Sequence, residues 1–220
     1  MTSRESDEST EARWPSALAL LVATALYLAL PNQLVPGPPW VGYVVPALEL
    51  AALVSLFVLS PHRISSESGT RRRVSMALIA LISAANAIAL GFLVHQLITV
   101  SGVTGRSLLY SALNIWATNV IVFALWYWEL DGGGPPARLR QGSSRRDFAF
   151  VQMTDPEVST PNWRPHFVDY MYLSFTNASA FSPTDTMPLS RRAKLLMMLQ
   201  SIISLMTLLL VAARAVNILK

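Results

Sequence analysis

The chain has 220 residues, 52% of them hydrophobic and only 14% charged, with a mean hydropathy of +0.41 and a formal net charge of +4. That balance excludes an ordinary soluble domain, in which about 25% of residues are charged. The absence of cysteine excludes a disulfide framework, a thiolate metal site and a cysteine nucleophile.

Residues 1–13 (MTSRESDESTEAR) are polar and lack apolar periodicity, so a disordered tail is expected. A first span is expected over about Trp14 to Leu30, close to the roughly 20 residues that a helix needs to cross a hydrocarbon core. It lacks a basic start and a small-residue cleavage site, which argues against a removed signal peptide and leaves a signal-anchor role open. PNQLVPGPP then breaks the chain, because prolines at positions 31, 36, 38 and 39 cannot continue a helix.

A second span is expected over about Trp40 to Leu59, with Trp40 and Tyr43 as interface anchors and Pro46 as a kink. After the basic loop SPHRISSESGTRRR, a third is expected over about Val74 to Ile98, and a fourth over about Ser107 to Trp128, where WYWEL suits a headgroup belt. Asp131 to Asp147 (DGGGPPARLRQGSSRRD) has the composition of a solvated linker. FAFVQMTDPEVSTPNWRP mixes apolar and polar residues at a length suited to lying along an interface. A short mixed segment, about His166 to Ala180, precedes a polar run and a last span over about Ala193 to Ala213. The expected organisation is thus a tail (1–13), a four-helix transmembrane region (14–130), a polar linker with an interfacial segment (131–165), and a pore-like helix, turn and final span (166–220).

Basic residues assign orientation. With the N-terminus inside, the inner segments carry Arg4, Arg13, Arg63, Arg71, Arg72, Arg73, Arg138, Arg140, Arg145 and Arg146, and the outer loops only Arg106. This positive-inside pattern places Asp131 to Lys194 on the cytoplasmic side. The arginines lie in short loops rather than on one face interleaved with aromatics, so nucleic acid is not an expected partner.

The stretch YLSFTNASAFSPTDTMPLSRRAKLL, Tyr172 to Leu196, sets hydroxyls, an amide and a carboxylate directly before the last span. The spacing of Ser174, Ala178, Asp185 and Pro188 resembles the pore helix, filter and filter exit of tetrameric potassium channels. That resemblance implies a re-entrant helix, an inner helix lining a pore, and assembly from several copies. Where the glycine filter of those channels would stand, this chain has Ala180-Phe181-Ser182-Pro183-Thr184-Asp185. A carbonyl ladder needs backbone conformations that glycine reaches cheaply, so a potassium filter of the known kind is not expected. Across most of its length the chain is also similar to the domain of unknown function 1345 family of bacterial membrane proteins. Tyr172, Ser174, Phe175, Thr176, Asp185, Ser190, Arg191 and Arg192 carry that similarity. It implies a bacterial inner membrane and no established activity.

Ser174, Thr176, Asn177, Ser179, Ser182, Thr184 and Asp185 are the candidate polar constriction, since polar groups inside a membrane persist only where protein or water satisfies them. The alternative is local: these residues bond nearby backbone, and SPTD forms a turn and helix cap. Glu49 in the second span and His95 near the end of the third are the intramembrane ionisable candidates. Gln200, Ser201, Ser204 and Thr207 recur at helical spacing, a stripe facing either a water-filled path or a neighbouring helix. Asn86, Asn114 and Asn119 suit interhelical hydrogen bonds. Arg191, Arg192 and Lys194 suit an anionic-lipid interface. No metal site, cofactor motif or enzymatic constellation is recognisable.

The sequence therefore predicts an all-α polytopic membrane protein of about five transmembrane helices plus a short re-entrant or interfacial helix. The leading functional expectation is a homo-oligomeric channel-like or transport protein in the cell membrane, passing a cation. The alternative is a non-transporting scaffold that binds lipid or a partner.

Overall fold

A computed structural model describes residues 14–30, 47, 69–99, 105–141, 146–154, 157, 163–182 and 185–218. Its elements, in chain order, are α1 (Trp14–Leu28), α2 (Gly69–Thr99), α3 (Gly105–Leu130), a 3-10 turn (Asp131–Gly133), α4 (Pro135–Gln141), β1 (Phe148–Phe150), α5 (Val151–Thr154), α6 (Phe167–Ala180), β2 (Thr186–Pro188) and α7 (Arg191–Ile218). Among the described residues, three helical stretches are long and apolar enough to cross a membrane: Arg72–Ile98, Arg106–Arg138 and Arg191–Ala212. α1 is apolar but shorter, 15 residues or about 22 Å. The span expected over Trp40 to Leu59, with Glu49 in it, lies outside the described residues, as does the tail 1–13.

α3 is the axis of the fold. It packs against α6, α7, α2 and α1, and 67% of the Arg106–Arg138 stretch is buried, against 22% of Arg191–Ala212. Small side chains let the helices approach closely: Ala23, Ala124, Ala178 and Ala193 are all buried at these contacts. Around them Leu20, Ile79, Ile82, Val122, Tyr127, Leu173 and Met197 close one apolar core. Tyr27, Leu90, Leu93, Leu108 and Ile115 close a second toward the start of α3.

Contacts along α3 fix the direction of each neighbour. Ser75 on α2 reaches Glu129, whereas Asn86 reaches Ile115, so α2 runs antiparallel to α3. α1 does the same: Ala19 and Ala23 join the core around Tyr127, and the Leu26 carbonyl accepts from Asn114. α1 therefore ends, and α2 begins, at opposite ends of α3.

The fold departs from a purely helical one. β1 and β2 form an antiparallel ribbon pairing Phe148 with Pro188 and Phe150 with Thr186. Its cause is local: Phe-Ala-Phe alternates, so both rings of β1 turn inward, Phe148 against Tyr127 and Phe150 against Tyr170. An interfacial course for the segment from Phe148 to Pro165 gives way, at its start, to a strand in the core. The stretch after α3 differs from a solvated linker too, because Asp131, Gly134, Pro135, Pro136 and Arg138 are buried.

Candidate functional site

α6 and the chain that follows it make a hairpin that enters and leaves at the same end of α3. Asp169 accepts the His166 backbone amide at 2.7 Å and so caps the first turn of α6. The Tyr170 hydroxyl donates to Asp131 just past the end of α3, at 2.6 Å. Eight residues on, the Ala178 carbonyl meets the Trp116 indole, about 22 Å back along α3. The helix stops at Phe181, a non-glycine residue in the left-handed region (φ 55°, ψ 24°). β2 then pairs with β1, and the Leu189 amide donates to the Asp147 carbonyl, so the chain is back beside Asp131. α7 departs from there, and its Gln200 stands level with Asn177.

Inside the hairpin lies a buried polar cluster shared by α3, α6 and α7. The Gln200 amide nitrogen donates to both the carbonyl (2.9 Å) and the hydroxyl (2.7 Å) of Ser174. Its oxygen accepts from Tyr127 at 2.6 Å and from Asn177 at 2.8 Å. Ser174 in turn donates to the Val120 carbonyl, Asn177 to the Met197 carbonyl, and Asn119 to Ser204. Ser174, Asn177, Gln200 and Ser204 are almost wholly buried. Apart from the Asn119 side-chain oxygen, which is buried without a partner among the described residues, the cluster is paired. It specifies one packing of three apolar helices, because a slip leaves further buried groups unsatisfied.

The remaining candidates separate by direction. Thr176 and Thr207 are buried and bond carbonyls of their own helices, as does the exposed Ser179. Ser182 is exposed and Asp185 half-buried on the return from α6, while Thr184 lies outside the described residues. Within one chain the stripe of Gln200, Ser204 and Thr207 thus faces helices. His95 is exposed near the end of α2. Arg191 and Lys194 are exposed at the head of α7.

Arg192 does something the sequence did not disclose. Its guanidinium holds the buried Asp147 carboxylate through two bonds, 2.7 and 2.6 Å. Asp147 also accepts the Gly132 amide, and its own amide donates to Asp131 at 2.7 Å. Asp131, with no exposed surface, further accepts from the Phe148 amide and Tyr170 and pairs with Arg146 at 3.5 Å. Arg138 caps the end of α3 by donating to the Trp128 and Asp131 carbonyls. This ionic clasp ties together both ends of the hairpin, α3 and α7. The one sequence signal for it was an aspartate directly after a span and before three glycines, all of which adopt positive φ.

No family model, curated protein or solved structure matches the chain.

Proposed function

We propose that the chain is a multi-pass membrane protein of channel-like or transport type that works as a homo-oligomer and passes a cation. The observation that carries this is the hairpin: a 14-residue helix that descends along α3, turns at Phe181 and returns to the end from which it set out. Such a segment is too short to span, and its irregular backbone is tolerable at membrane depth only against protein or a water-filled path. It also has the order of elements seen in the pore region that the sequence resembles.

The division of its polar residues refines the reading. Ser174, Thr176 and Asn177 are buried, and Ser174 and Asn177 anchor α6 to its neighbours. Ser179, Ser182 and Asp185 face outward or lie at the surface of one chain, where a second copy would complete a constriction. The basic residues Arg72, Arg138, Arg146, Arg191 and Arg192 sit at the Asp131 end of the fold and Arg106 at the other, which supports a cytoplasmic hairpin mouth.

The test is cation flux into liposomes holding the purified protein, together with its oligomeric state in the bilayer. Flux that Asp185→Ala alters, carried by a stable oligomer, is the expected result. Folded protein that is monomeric and passes no monovalent or divalent cation would reject the proposal. That outcome favours the scaffold reading, to which the self-satisfied cluster around Gln200 is equally suited.

A further inference from the structure

At the end of α3 remote from the clasp, α1 and α3 enclose a groove of about 760 Å³, within the range of about 300–1,000 Å³ usual for small-molecule sites. Its floor is mostly apolar, formed by Leu26 of α1, Ala29 just past its end, and Leu113 and Ala117 of α3, with the polar side chains of Ser111 and Asn114 between them. Its mouth is cationic. Arg106 lies exposed one residue into α3, steadied by Tyr110, over whose ring its guanidinium stands at 5.4 Å and to whose hydroxyl it donates. The first turn of α3 sets the positive end of the helix dipole beside it.

We infer that this groove holds one acyl chain of an anionic membrane phospholipid, with the lipid phosphate on Arg106. The inference rests on the membrane reading above but not on the pore. Arg106 opens the apolar Arg106–Arg138 stretch, which sets it at headgroup level. Ala117 is then about 16 Å deeper along the helix, or about half of the roughly 30 Å hydrocarbon thickness. The cationic mouth and the mostly apolar floor, which only Ser111 and Asn114 interrupt, are thus set apart along the bilayer normal as the two parts of a phospholipid are. Arg106 is exposed and bears no carboxylate partner among the described residues, unlike Arg192 and Arg146, which pair with Asp147 and Asp131. Its charge is available to a phosphate.

The experiment uses the full chain in phosphatidylcholine vesicles doped with phosphatidylglycerol bearing a photoactivatable acyl chain. Labelling should concentrate on the peptide from Arg106 to Ala117 and exceed that by the matching phosphatidylcholine probe. Arg106→Gln should lower it about fivefold, the effect of one interfacial cation on anionic lipid. Ala117→Phe, which fills the floor, should also displace the probe, whereas Arg191→Gln should not. Label spread evenly over α2 and α7, or unchanged in Arg106→Gln, overturns the proposal. So does an unlabelled 106–117 peptide in every variant, the result expected if residues 31–68 of the same chain occupy the groove. Arg106 is exposed, so its variant stays folded and decides the matter even where Ala117→Phe does not fold. Protein that fails to float with the vesicles would strike the membrane reading instead.

Discussion

The Gln200 side chain on α7 grips Ser174 on α6 twice, through the serine carbonyl at 2.9 Å and its hydroxyl at 2.7 Å. Replacing it with leucine, an apolar side chain of similar size, strands the Tyr127 hydroxyl proton in an apolar interior. It also takes one partner each from the Asn177 amide and the Ser174 hydroxyl, which keep the Met197 and Val120 carbonyls. Gln200→Leu should therefore lower stability by about 1–3 kcal/mol, although single interhelical bonds in membranes average only about 0.6 kcal/mol. Ser179→Ala, at an exposed serine bonded within its own turn, should stay within about 0.5 kcal/mol of wild type. Reversible unfolding in mixed micelles compares the two, and equal losses would show that the cluster contributes nothing special.

Asp147 makes stability depend on acid. Burial alone would raise its carboxyl pKa, but the hydrogen bonds from Arg192, Ser190 and the Gly132 amide outweigh that and hold it below the ordinary carboxylate value. A depressed folded pKa stabilises at pH above the unfolded value, and the benefit disappears as pH falls through the folded one. Stability should thus drop progressively below about pH 5, the loss beginning about one unit above the unfolded pKa of about 3.9 and ending once pH is below the folded one. In Arg192→Gln the loss should be shallower, because part of the advantage is already gone at neutral pH. Parallel pH titrations of unfolding would contradict this account of the clasp.

Phe181 holds the turn of the hairpin at φ 55°, a region that burdens L side chains by about 1–2 kcal/mol. The residue is 42% exposed, so removing the ring forfeits only part of the burial of a core phenylalanine. Phe181→Gly should then raise the unfolding midpoint, with a gain of about 1 kcal/mol. A loss of similar size would mean that the ring packs against a neighbouring copy in the assembled protein, and an oligomer assay on the variant separates the two results.

The long helices were legible because apolar composition and length need no tertiary information. Spans expected over Val74 to Ile98, Ser107 to Trp128 and Ala193 to Ala213 lie within α2, α3 and α7, and the segment expected over His166 to Ala180 coincides with α6 to within a residue. The direction of the polar stripe was not legible, since periodicity puts Gln200, Ser204 and Thr207 on one face without saying what that face meets. Nor was the clasp. Asp131, Asp147, Tyr170 and Arg192 are distant in sequence, and each taken alone looks like an ordinary linker or interface residue. Phe148 and Phe150 were hidden for a related reason, as three strand residues with a partner 38 positions later carry almost no local signal.

Gly134 tests how much of that clasp depends on backbone rather than charge. It sits at φ 95° and ψ 171°, a conformation that side chains other than glycine's seldom adopt. A Cβ there would approach the Glu129 carbonyl to 3.1 Å and the Arg72 guanidinium to 3.4 Å. Glu129 is in the last turn of α3, directly before the turn that aims Asp131 at Tyr170 and the Asp147 amide, so its carbonyl cannot retreat without disturbing those bonds. The Arg72 side chain of α2 that donates to it would have to shift as well. Gly134→Ala should therefore destabilise by about 1–3 kcal/mol. It should also loosen the hairpin, read as faster proteolysis between Arg146 and Arg192. Gly91, in the middle of α2 with nothing within 4 Å of its Cβ position, is the control. There alanine should be neutral or stabilise by up to about 1 kcal/mol through helix propensity. If Gly134→Ala were as benign as Gly91→Ala, the turn would be free to adjust and the charges alone would hold the clasp shut.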